Sequence, residues 1–148
     1  MATRKLALTA TVLVAMVTLL AAQNAQTPKT GLAMSAAANG FLASLSPAQK
    51  TAATFKFDDA ERLNWHFIPR ERKGLPLKSL EGAALKAARA FIHSGLSEAG
   101  YDQTLNVMSL EELLYLLETN VERDARRDRR DPGKYYLSVF GEPADSGQ

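Results

Sequence analysis

The chain has 148 residues, 46% hydrophobic and 23% charged, which is enough for one domain with a modest core and unlike the composition of a disordered chain. Its pI of about 9.0 suggests a basic protein, but Arg4 and Lys5 lie in a segment that reads as removable, and taking those two from 18 Lys and Arg leaves 16 against 16 Asp and Glu. A formally neutral mature chain gives no compositional case for an anionic membrane surface or for nucleic acid, so nucleic acid is not an expected partner.

The N-terminus reads as a signal peptide over residues 1–25. Arg4-Lys5 forms a short positive region, Leu6 to Ala22 carries no charge, and small residues follow, with cleavage after Ala22 or Ala25. The expected location is therefore secreted or periplasmic, with no stable membrane anchor once the signal is cleaved. The alternative is an uncleaved anchor, for which the apolar run lies at the short end of the roughly 17–25 residues a spanning helix needs. There is no cysteine, which excludes disulfides and a lipidated cysteine, so the exported chain must fold on packing alone.

Residues 26–40 are small and polar, with Pro28, Gly31 and Gly40, and read as a flexible linker with a short helical turn over Leu32–Ala38. The folded domain then spans residues 41–148. Ser46-Pro47-Ala48-Gln49 is a helix start: Ser caps, Pro fits the first turn, and Gln returns a bond to the cap backbone. That helix ends near Ala53, and Phe55 and Phe57 alternate around Lys56 as a brief strand. Leu63, Trp65 and Phe67 alternate in the same way and predict a second strand, closed by Pro69, with Trp65 in the core.

Ser79 predicts the cap of a helix from Leu80 to about His93, stopped by Gly95. Ser97 opens a weaker helix to about Val107, and the Ser109-Leu110-Glu111-Glu112 capping box opens a third, from Leu110 to Thr119. The mixed-charge run from Glu122 to Asp131 reads as a solvated loop or frayed helix end. Asp131-Pro132-Gly133 is a turn, and Tyr135 to Phe140 is the strongest strand of the chain. The fold class is α+β: a small antiparallel helical cluster packed on a few short strands.

Chemistry-bearing motifs are few. There is no Gly-rich phosphate loop, no His-Glu-x-x-His helix and no Gly-x-Ser-x-Gly elbow, and two His without Cys make no familiar zinc site. His66, between Arg62 and Arg70, is a candidate general base facing a cleft, against the alternative of a histidine on a solvated strand face. His93 in the last turn of a helix reads as structural. Arg62, Arg70 and Arg72 flank the tryptophan segment, and their forks suit carboxylate or phosphate, although pairing with Glu61, Glu71 or Asp131 is equally open. Glu111 and Glu118, seven apart, read as solvated glutamates.

The pieces run in an order that resembles a bacterial family catalogued as domain of unknown function 3500 (DUF3500). They are Arg62, Trp65 and Pro69; Arg72, Gly74 and Leu75; Leu96-Ser97 with Gly100-Tyr101; Met108, Leu110 and Glu111; Arg130-Asp131-Pro132; Tyr135 or Tyr136; and Phe140 to Pro143. The resemblance covers about Phe55 to Pro143 and implies that the chain is the N-terminal part of a larger domain, because relatives continue into Trp-Gly-Trp and Gly-His-His segments. It supplies no reaction and no cofactor. Two functions are open. One is a hydrolase-like domain, metal-assisted in longer relatives, with His66 and Arg72 as its catalytic candidates. The other is a non-catalytic extracytoplasmic module binding an anionic ligand or protein partner through Arg62, Arg70 and Arg72.

Overall fold

The computed structural model describes residues 30–67, 70, 72–120 and 122–144, so the signal peptide and its cleavage site lie outside the described residues. The first described element, α1, is helical over residues 30–43. The linker expected over residues 26–40 is thus helical across its described part. Ala38, Phe41 and Leu42 fall on one stripe of that helix and are buried. Phe41 has no exposed surface and stacks on Phe91, with ring centroids 5.8 Å apart.

Helix α2, Pro47–Ala53, starts as the sequence predicts: the Ser46 side chain accepts from the Gln49 N–H, and the Gln49 side chain accepts from the Ser46 N–H. It runs directly into β1, Thr54–Phe55. Strand β2 is Leu75–Pro76. Helix α3 is Gly82–Ser94, and it ends at Gly95. Its N-cap is Glu81 rather than Ser79, whose hydroxyl instead donates to the Pro76 carbonyl.

The two helices expected over residues 97–119 are one, α4, Glu98–Leu117. Ser109 does not cap; its Oγ donates back to the Asn106 carbonyl at 2.7 Å, a bond that keeps a serine inside a continuing helix. The charged run is also helical, as α5, Arg123–Arg129.

The segment Tyr135 to Phe140 splits into β3, Tyr136–Leu137, and β4, Val139–Phe140, with Ser138 between them. Each takes a different partner. β3 pairs antiparallel with β2, Leu75 opposite Leu137 and Pro76 opposite Tyr136. β4 pairs parallel with β1, Thr54 opposite Val139 and Phe55 opposite Phe140. Phe55 and Phe140 stack at 5.1 Å. Gly74 makes the junction possible: its φ is +106°, and a Cβ there would stand 2.4 Å from Ser138 Oγ.

The core gathers Phe41, Leu42, Ala53, Leu75, Leu80 and Val139 with the inner faces of α3 and Met108 of α4. The architecture is α+β, helices on a pair of two-stranded ladders. Trp65 is not in this core. The strand expected over Leu63–Phe67 is replaced by a 3-10 turn, Ala60–Leu63, started by Asp59, whose carboxylate accepts from the Glu61 N–H. Leu63, Trp65 and Phe67 then project outward, with Trp65 77% exposed.

Candidate functional site

An open cleft of about 920 Å³ lies between residues 65–67, 70 and 72 on one side and the α5–β3 connection on the other. The first side contributes Trp65, His66, Phe67, Arg70 and Arg72. The second contributes Arg129, Arg130, Asp131, Lys134, Tyr135 and Tyr136, and Glu111 enters from α4. Five cations therefore face two carboxylates and a histidine around one space. A smaller cavity of about 160 Å³ adjoins it and shares His66, Arg70, Arg72 and Tyr136.

Two backbone devices hold the sides in place. The Asp131 carboxylate accepts from the Gly133 N–H at 2.8 Å, and the Lys78 N–H donates to the Gly133 carbonyl at 2.9 Å, which ties the α5–β3 turn to the start of the helical layer. Across the cleft, Arg72 Nη2 donates to the His66 carbonyl at 2.6 Å. The His66 ring sits 2.9 Å from Asn64 Oδ1, and Asn64 in turn donates to Glu61.

The cations differ in their commitments. Arg130 is the most engaged: its guanidinium meets both oxygens of Glu118 and reaches Glu111 at 3.3 Å. Hydrogen bonding from Arg130 holds the Glu118 carboxyl below the usual range, and the Arg130 guanidinium is correspondingly more basic. Arg129 stands 4.0 Å from the same carboxylate. Lys134 pairs with Asp128 at 2.7 Å and lowers that carboxyl too. Tyr135 is half-buried, and burial pushes its phenol up, so it stays protonated as a hydrogen-bond donor. Arg70 is exposed and ion-paired to no described residue.

Of the residues singled out in the sequence, the fold brings His66, Arg70 and Arg72 to one cleft. Arg62 is elsewhere, its guanidinium 4.3 Å over the Phe57 ring. His93 bridges α3 to α4, 2.9 Å from Glu98 and edge-on to Tyr101. Glu111 and Glu118 are not simply solvated: they receive Arg130. The sequence reading missed Arg129, Arg130 and Lys134 as lining residues, because the first two lie in a run that reads as a solvated loop or frayed helix end and Lys134 follows the turn after it. The signal available was Arg130-Asp131-Pro132, which belongs to the ordered pattern of motifs.

Among the described residues no group of three or more His, Asp or Glu is placed to hold a metal, and no helix is long and apolar enough to cross a membrane. The chain matches the family described as "Protein of unknown function (DUF3500)" over residues 27–148 and belongs to it. No curated protein and no solved structure matches it.

Proposed function

We propose that the protein is an exported, non-catalytic binding module whose cleft takes a small anionic ligand. Arg70 carries this reading. An exposed guanidinium without an ion-pair partner among the described residues lies in the same cleft as Arg72, Lys134 and the phenol of Tyr135. Arginine forks engage carboxylate or phosphate at two points, while Trp65 and Tyr136 offer aromatic surface to the ligand's body. The cleft volume falls within the roughly 300–1,000 Å³ of small-molecule sites. The test is titration with phenyl phosphate and benzoate, with benzamidinium as the cationic control, by calorimetry. Binding of the anions alone, weakened by Arg70→Ala, is the expected result. Equal affinity for the cation, or an unaffected Arg70→Ala variant, would refute the reading.

Export rests on the charged start, the uncharged Leu6–Ala22 run and the small residues after it. Intact mass of secreted material should show loss of about residues 1–25. A second reading makes the same cleft part of a hydrolase, because His66 lines it with one ring nitrogen held by Asn64. Under that reading His66→Gln abolishes turnover of a chromogenic ester while anion binding persists.

A further inference from the structure

We infer that the anion is the headgroup of a membrane lipid, and that the tip from Leu63 to Phe67 docks the protein on an anionic bilayer surface. This inference rests on the anion-binding reading above and adds the class of ligand. Leu63, Trp65 and Phe67 are 82%, 77% and 85% exposed, the three most exposed large hydrophobic residues described. Contiguous apolar surface left in water marks an interaction site. The backbone creates the tip: the 3-10 turn ends at Asn64, and the Trp65 N–H bonds the Leu63 carbonyl at 2.9 Å. The Trp65 and Phe67 rings then lie 6.4 Å apart as one patch.

What selects a bilayer over a protein groove is the charge beside the patch. From Glu61 to Lys73 the sequence carries four cations, Arg62, Arg70, Arg72 and Lys73, against Glu61 and Glu71. Lys73 stands 3.9 Å from Glu61 and offsets it. Trp65 and Phe67 themselves line the cationic cleft, so the apolar patch and the anion site share a rim. Exposed apolar side chains beside arginines on one rim suit the acyl boundary and the phosphate level of an anionic bilayer surface. The neutral net charge does not oppose this, because attraction to a charged surface fades within about one Debye length, roughly 8 Å at physiological salt, and only local charge counts.

The test is co-sedimentation of the chain with vesicles of equimolar phosphatidylglycerol and phosphatidylcholine, and with phosphatidylcholine alone. Trp65, the only tryptophan, reports entry into the interface by a blue shift. The expected result is binding to the anionic vesicles that falls with salt, about fivefold weaker for Arg70→Ala. Leu63 lies outside the cleft lining, so Leu63→Asp should cut vesicle binding by about tenfold or more and leave the affinity for phenyl phosphate unchanged. Both chains carry the same N-terminal segment, so their difference isolates the tip. Phenyl phosphate binding without vesicle binding overturns this inference and leaves the cleft reading standing. Loss of both overturns both. Equal binding to the two vesicle types, or a Leu63→Asp chain that sediments like the parent, also overturns it.

Discussion

Arg72 donates an Nη2 hydrogen bond, 2.6 Å long, to the main-chain carbonyl of His66, six residues back along the chain. One candidate site residue thereby fixes the backbone of another, a clasp between Arg72 and His66. Arg72 is half-buried and carries further interactions beyond this bond.

Replacing Arg72 by Ala should therefore loosen the clasp without unfolding the domain. A hydrogen bond from a charged donor is worth about 1.5–3 kcal/mol, and partial exposure places the expected loss near the lower figure. Urea denaturation gives that loss. Hydrogen exchange should accelerate around residues 64–67 and leave α3 unchanged. Equal acceleration throughout would show that Arg72 supports the whole core.

Trp65 separates the structure from the pattern of its sequence. Because it lies on the surface, Trp65→Ala should change stability by less than about 0.5 kcal/mol. Phe41→Ala, at the centre of the core, should cost about 3–5 kcal/mol. Native fluorescence should already resemble that of tryptophan in water and be open to iodide quenching. A blue native spectrum that shifts red on unfolding would contradict the exposed position.

At Gly74 a Cβ would face both a positive φ and the crowding from Ser138 and the Leu137 carbonyl. Gly74→Ala should cost about 1–3 kcal/mol, read from the denaturant midpoint. A neutral result would mean that the β2–β3 pairing relaxes freely.

The Glu118–Arg130 pair gives a pH dependence of definite sign. The folded-state pKa of Glu118 is depressed from 4.5, so its contribution is complete above the unfolded carboxylate pKa and is lost as pH falls through the lower folded value. Melting temperature should drop as pH is lowered from neutral to below that of a free glutamate. Glu118→Gln should flatten part of that slope, and an unchanged slope would remove the pair from the acid response.

Local signals in the sequence were legible where neighbours along the chain complete the interaction. The Ser46 capping box and the Gly95 stop are of this kind, each satisfied within a few residues. The alternation at Leu63, Trp65 and Phe67 misleads because it matches a half-buried strand, while Asp59 starts a 3-10 turn in the same stretch. Ser109 also fits two roles, and the half-buried face that runs on through Met108, Glu111 and Tyr115 decides for the helix interior. For the site, His66, Arg70 and Arg72 were readable as an arginine-rich cluster around one histidine. The other side of the cleft was not. Helix α5 depends on partners well away in sequence: Arg127 on Glu112, Arg126 and Arg127 over the Tyr115 ring, and Arg130 on Glu118. A local reading of ERDARRDRRD contains none of them. The described part of the presumed linker shows the same thing: alanines without local polarity contrast gain a face only when Phe41 meets Phe91.

The two-residue strands carry a kinetic consequence. β4 completes the ladder begun by β1, and Ser35 and Asn39 of α1 donate to the carbonyls of Ala144 and Pro143, partners 109 and 104 positions away. The earliest described helix is thus anchored by some of the last described residues. Closing such a long loop must be paid for before any of these contacts returns energy, so the domain should fold more slowly than its helical content suggests. During that delay the apolar stripe of α1 has no final partner, a state in which a chain stays threadable and open to capture by a holding chaperone.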